Sequence, residues 1–171
     1  MTLKILQWNI WYKEKSKNIV RVLKKVDADI ICVQEIIQHL GKNIDIARDI
    51  ANKLGYNYFY KEAETWSNRD IKENQGNAIY SKLPILNKTY KYVQKPKHNP
   101  PDATNEGRVY IEIEVNWNKQ AFTIGTTHLS YSHRFKITPH RKKEIDKLVD
   151  IVKCKKSSYI FAGDLNSVPA S

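Results

Sequence analysis

Five polar residues stand at the ends of apolar runs in this sequence. Asn9 closes "QWN", Glu35 closes "CVQE", His128 closes "TTHL", and Asp164 and Asn166 follow the run in "FAGDLN". Such side chains are costly to bury without partners, and strand exits are where a rigid scaffold presents reactive groups. The chemistry that suits this set is metal-assisted attack of water on a phosphoester. Glu35 offers the hard anionic oxygen that Mg²⁺ prefers, and Mg²⁺ typically takes only one or two carboxylates, completing its shell with water and phosphate. Asp164 can orient or deprotonate the water, and Asn166 can donate to an oxygen on phosphorus. His128, if protonated, can stabilise the developing negative charge. Each residue also has an ordinary reading. Asn and Asp after strands form turns, a glutamate pairs with a lysine, and a histidine in a Thr-rich strand end is a hydrogen-bonded structural group. The order and context of the whole set are what point to one site.

These groups converge only if the segments that carry them lie side by side. "LKILQWNIW" alternates and predicts a strand from Leu3 to about Ile10. Ser16 can cap a following helix with Ile19, Val20, Leu23 and Val26 on its apolar face. "ADIICVQEI" is a continuous apolar run, as a strand covered on both faces requires. A second helix is expected from roughly Ile44 to Leu54, stopped by Gly55. "YNYFYKEA" and "GNAIYS" predict strands on either side of a polar loop from Glu64 to Gln75, and "ILNKTYKYVQ" predicts another. "KPKHNPPDATNEG" reads as a loop. "RVYIEIEV" and "QAFTIGTTHL" form a hairpin turning at "NWNK". Pro139 suits a helix start capped by Thr138, with Ile145, Leu148, Val149 and Val152 as its buried stripe. "SYIFAG" is the last strand, delivering "DLN" at its exit. No internal repeat or linker divides the chain, so residues 1–171 are read as a single layered α/β domain with mixed sheets.

Composition sets the outer bounds. The 171 residues are 41% hydrophobic and 27% charged, which excludes a wholly disordered chain and allows one buried core. Lys and Arg number 29 against 18 acids, a net charge of +11 that favours polyanionic partners, nucleic acid first. The ordinary alternative is that the lysines serve solubility. Two cysteines, Cys32 and Cys154, make neither a disulfide framework nor a metal knuckle. No signal peptide or membrane-length stretch is present, so the expectation is a reducing, cytoplasmic setting without membrane association.

Taken in order, "QWNI", "DIICVQE", "GNAIYSKLPI", "TTHLS" and "GDLNSVP" resemble the endonuclease/exonuclease/phosphatase superfamily, and "HRKKEIDKL" resembles the basic helix that precedes its last motif. The resemblance implies a deoxyribonuclease-like α/β fold, a two-layer β-sandwich flanked by helices, with the site at one end. It implies that Glu35 binds Mg²⁺ (Mn²⁺ as an alternative), with Asn9 beside it in the metal site. It implies that Asp164 activates water, that Asn166 holds the phosphate and that His128 contacts it. Arg108 and Arg141 are weaker matches, for substrate phosphate. The superfamily continues past this motif with further strands, an Asp-bearing segment and a late Ser-Asp-His. The resemblance therefore implies a domain shortened at its C-terminus, and with it weak Mg²⁺ binding, slow or absent hydrolysis, and self-association or pairing with a complementing segment.

Three functions stay open at the level of sequence. The first is a metal-dependent phosphodiesterase on nucleic acid, DNA or RNA. The second keeps the fold but acts on a phospholipid or inositol phosphate. The third is a basic module that binds nucleic acid without cutting it.

Overall fold

The computed structural model describes residues 2–42, 45–67, 72–155 and 158–168. Within them lie two four-stranded sheets and three α-helices. The first sheet runs in the order β1 (Ile5–Asn9), β2 (Ile30–His39), β4 (Lys72–Ser81), β3 (Asn57–Ser67). The second runs β5 (Ile85–Gln94), β6 (Arg108–Trp117), β7 (Gln120–Thr127), β8 (Tyr159–Phe161). Helices α1 (Ser16–Val26) and α2 (Ile46–Leu54) cover the outer face of the first sheet, and α3 (Pro139–Val152) covers that of the second.

Strand β2 shows why its run is apolar at every position. Ile31 and Val33 pack against Ile19, Leu23 and Ile50 of the helices. Ile30 and Cys32 point the other way, against Val109, Ile111 and Ile124 of the facing sheet. Both faces of the pleat are therefore in core. Burial pushes the Cys32 thiol up to about 12, so it is a packing group, not a reactive one.

Several boundaries differ from the sequence reading. The first strand is Ile5–Asn9, shorter than Leu3 to Ile10. Lys15, not Ser16, is the N-cap of α1, with no side-chain cap bond; Ser16 is its first residue. Asp45 caps α2 by accepting from the Arg48 backbone N–H, and Ile44 lies outside the described residues. The polar loop from Glu64 to Gln75 is mostly strand: β3 runs on to Ser67 and β4 begins at Lys72, each paired to the other. Cross-strand pairing overrides polar composition there. Residues 68–71 of that loop, like Pro169 of the last motif, lie outside the described residues. Thr138 caps α3 as expected. The buried face of that helix is Arg141, Glu144, Leu148 and Ile151, whereas Val149 is exposed. An apolar stripe search passes over Arg141 and Glu144 because both are charged.

Candidate active site

A defect in β2 aims the first carboxylate. The β2–β4 register shifts between Val33 and Ile36, so Gln34 and Glu35 form a bulge. The parity of the strand flips across it, and Ile36 returns to the helix-facing core that Val33 also occupies. Glu35 itself sits at φ 65°, a left-handed conformation that costs a non-glycine residue of order 1 kcal/mol. Bulges of this kind re-aim a side chain. Parallel pairing of β1 with β2 sets Asn9 against Gln34, one residue from Glu35.

The second carboxylate arrives from the other sheet. Parallel pairing of β7 with β8 continues past the strands as a bridge between His128 and Asp164. Asp164 donates its backbone N–H to Thr127, and its carbonyl accepts from Leu129. Asn166 stands at φ 47°, a second left-handed residue at the site.

The two halves meet on Asn9. Its Nδ2 donates to Glu35 Oε1 at 2.9 Å and to Asp164 Oδ2 at 3.0 Å. Glu35 Oε2 accepts from the Tyr12 backbone N–H at 3.0 Å. Asp164 Oδ1 accepts from the Asn166 backbone N–H at 2.9 Å. The ring nitrogen Nε2 of His128 lies 3.7 Å from Asp164 and 3.9 Å from Glu35. The five strand-exit residues thus form one cluster at one end of the sandwich.

Within the cluster the expected roles shift. The Asn166 side-chain amide donates to the Leu129 carbonyl at 2.8 Å and to His128 Nε2 at 3.0 Å, so both its hydrogens are engaged. It fixes the histidine tautomer. An Nε2 that accepts leaves the ring proton on Nδ1, which has no protein acceptor among the described residues. His128 is held below its ordinary pKa by burial first and Arg108 second, against the opposing pull of Asp164 and Glu35. That lowering favours the neutral ring over the imidazolium, the form in which the sequence reading let His128 stabilise charge.

The two arginines part company. Arg108 borders the pocket beside His128; its Nε donates to Ser130 Oγ at 3.0 Å and its Nη2 to the Ala103 carbonyl at 2.9 Å, with Glu106 at 3.1 Å. Its Nη1 has no partner among the described residues. Arg141 is only 2% exposed and does not line the pocket. It donates to the carbonyls of Ser130 and Leu165, so it ties the loop after His128 to the loop between Asp164 and Asn166. Its place is a brace behind the site, not the substrate contact that the sequence match suggested. Glu144 completes that brace, accepting from Ser130 Oγ at 2.6 Å and from the Ser130 backbone N–H at 3.0 Å. Sequence reasoning missed Glu144, although its helical spacing from Arg141 in "HRKKE" was a usable signal.

Among the described residues no group of three or more His, Cys, Asp or Glu side chains is arranged to enclose a metal. Glu35 and Asp164, held around one amide beside a neutral imidazole, leave negative charge in excess locally. That donor set fits Mg²⁺, which binds through one or two carboxylates and keeps its other positions for water and phosphate.

A family model described as "Endonuclease/Exonuclease/phosphatase family" matches residues 6–171. Human "Protein angel homolog 2" is 27% identical over 98% of this chain and 30% of its own length. An endonuclease/exonuclease/phosphatase family protein from Leptotrichia buccalis superposes with a TM-score of 0.70 at 18% identity, covering 96% of this chain and 67% of that one. D. rerio TDP2 complexed with single strand DNA product gives 0.67 at 18% identity, over 98% of this chain and 62% of that one. The chain spans under a third of the curated relative it matches.

Proposed function

This chain belongs to the endonuclease/exonuclease/phosphatase family, and on that footing we propose that it is a Mg²⁺-dependent hydrolase of phosphodiester bonds in nucleic acid. The observation that carries the reading is the Asn9 amide shared by Glu35 and Asp164. Through it, two carboxylates from different sheets share one hydrogen-bond donor. The net charge of +11 supports a polyanionic substrate. The single strand DNA product held by the TDP2 neighbour is in keeping with it.

In this reading Glu35 holds the metal, with Asn9 orienting its carboxylate. The bound metal supplies Lewis-acid stabilisation of charge on the phosphoryl oxygens. Asp164, oriented by Asn9 and the Asn166 backbone, positions the attacking water and accepts its proton. The Nδ1–H of neutral His128 and the open Nη1 of Arg108 donate to phosphoryl oxygens as charge builds on them. Asn166 keeps that His128 tautomer in place.

The test is single-turnover cleavage of labelled single-stranded DNA and RNA by excess chain, which also reads a slow enzyme. Cleavage is expected to require Mg²⁺, to stop with EDTA, and to fall at least about 100-fold in Asp164→Asn, the scale of a lost general base. Loss of Mg²⁺ binding in Glu35→Ala, followed by calorimetry, is expected alongside. Salt-sensitive binding of the strand without product at any metal concentration would favour a non-catalytic binding module instead.

A further inference from the structure

Beside the carboxylates the site opens into a pocket of about 550 Å³, a size that encloses a small ligand or one nucleoside. Its lining divides by chemistry. Tyr12 from the loop after β1, Trp66 near the end of β3 and Tyr131 from the loop after β7 bring ring surfaces from three separate segments. Tyr12 and Tyr131 are 47% and 53% exposed, so the core has not consumed their rings. Each is braced edge-on by a neighbour, Tyr12 by Trp11 at 6.4 Å and Tyr131 by Phe135 at 5.7 Å. Glu73 and Glu106 share the wall with Glu35.

We infer that this pocket is a subsite for one unstacked nucleobase beside the scissile phosphate, an inference that rests on the hydrolase reading above. Charge decides which part of a nucleotide enters. Away from Arg108 and His128 the lining offers rings and carboxylates and, among the described residues, no cation to hold a second phosphate. Glu73 and Glu106 on that wall can accept hydrogen bonds from amino and ring N–H groups at a base edge, as Asp and Glu do toward cytosine N4. The backbone is left to the rim, where Lys13 stands over the Tyr12 ring at 5.4 Å. Arg108 and His128, which share a smaller void with Glu35, serve the phosphate at the join. A base inside a duplex has its faces stacked and its edge paired, so it presents neither to such a pocket. The occupant is a single-stranded or terminal nucleotide, held by aromatic faces that every base can use.

The experiment uses the full chain with Mg²⁺ and two probes with the same phosphodiester, one carrying bases and one abasic on both sides of it. Binding is read separately by equilibrium dialysis of cytidine monophosphate against ribose 5-phosphate. The nucleotide is expected to bind about tenfold tighter than the sugar phosphate, and the base-bearing probe to be cleaved by a similar margin over the abasic one. Trp66→Ala and Tyr131→Ala are each expected to cut that preference to about threefold or less, while Trp66→Phe, which keeps a ring, retains most of it. Equal affinity for the two ligands, a preference unchanged in both alanine variants, or tighter binding of duplex than of single strand would overturn the inference. Cleavage of neither probe with the binding preference intact would sink the hydrolase reading alone. Equal cleavage of both probes would keep the hydrolase reading and sink the base subsite.

Discussion

At the scale of single residues, burial of the His128 ring ties protonation at the site to the folding of the chain. Asn9, Glu35, His128, Asp164 and Asn166 were legible because each polar side chain ends an apolar run. The charge state of His128 was not, since it depends on burial and on Arg108, which only the fold sets beside it. The consequence is a pH effect with a definite sign. Burial and Arg108 hold the folded pKa of His128 below the ordinary value of 6.5. In the window between them the unfolded chain binds more protons than the folded one, so stability falls as pH drops below about 6.5. It stops falling once the pH passes the folded value. Melting temperatures of metal-free chain across pH 5 to 8 should show this acid-side loss, and His128→Gln should flatten it. A variant as steep as the parent would contradict the assignment.

At the scale of elements, strand and helix order was legible from periodicity, and the largest exception involves partners distant in sequence. Glu64 lay in what reads locally as a polar loop. In the fold it is 1% exposed on β3 and accepts backbone N–H bonds from Lys97, His98 and Gly107, and from its neighbour Thr65. One carboxylate thereby fastens both ends of the 95–107 loop, which supplies Ala103 and Glu106 to Arg108. Gly107 is required for the close approach, because a Cβ there would stand 2.0 Å from the Ala63 carbonyl oxygen. Removing the carboxylate orphans several donors at once, at about 1–3 kcal/mol for each that stays buried. Glu64→Ala should therefore lower stability by about 3 kcal/mol or more. Hydrogen exchange should quicken first at the amides of Lys97, His98 and Gly107, and unchanged protection there would refute the clamp.

At the scale of the molecule, the layered architecture was legible because β2 is apolar on both faces, which only a strand between two covered surfaces needs. What periodicity hid was how each sheet ends. Strand β8 is three residues long, has no strand on its outer side among the described residues, and exposes Ile160. Such an edge invites pairing. Size exclusion at rising concentration should show association beyond the 20.0 kDa monomer, and a monomer at every concentration would count against it. The candidate catalytic cluster has a related exposure. Its acids are anchored on opposite halves of the sandwich and joined through a single amide, which makes the seam between the halves part of the chemistry. A slight parting of that seam separates the acids while both halves keep their secondary structure. On warming, turnover should therefore fade several degrees before the far-ultraviolet dichroism does, so that catalysis senses the cohesion of the two halves earlier than any measure of folding.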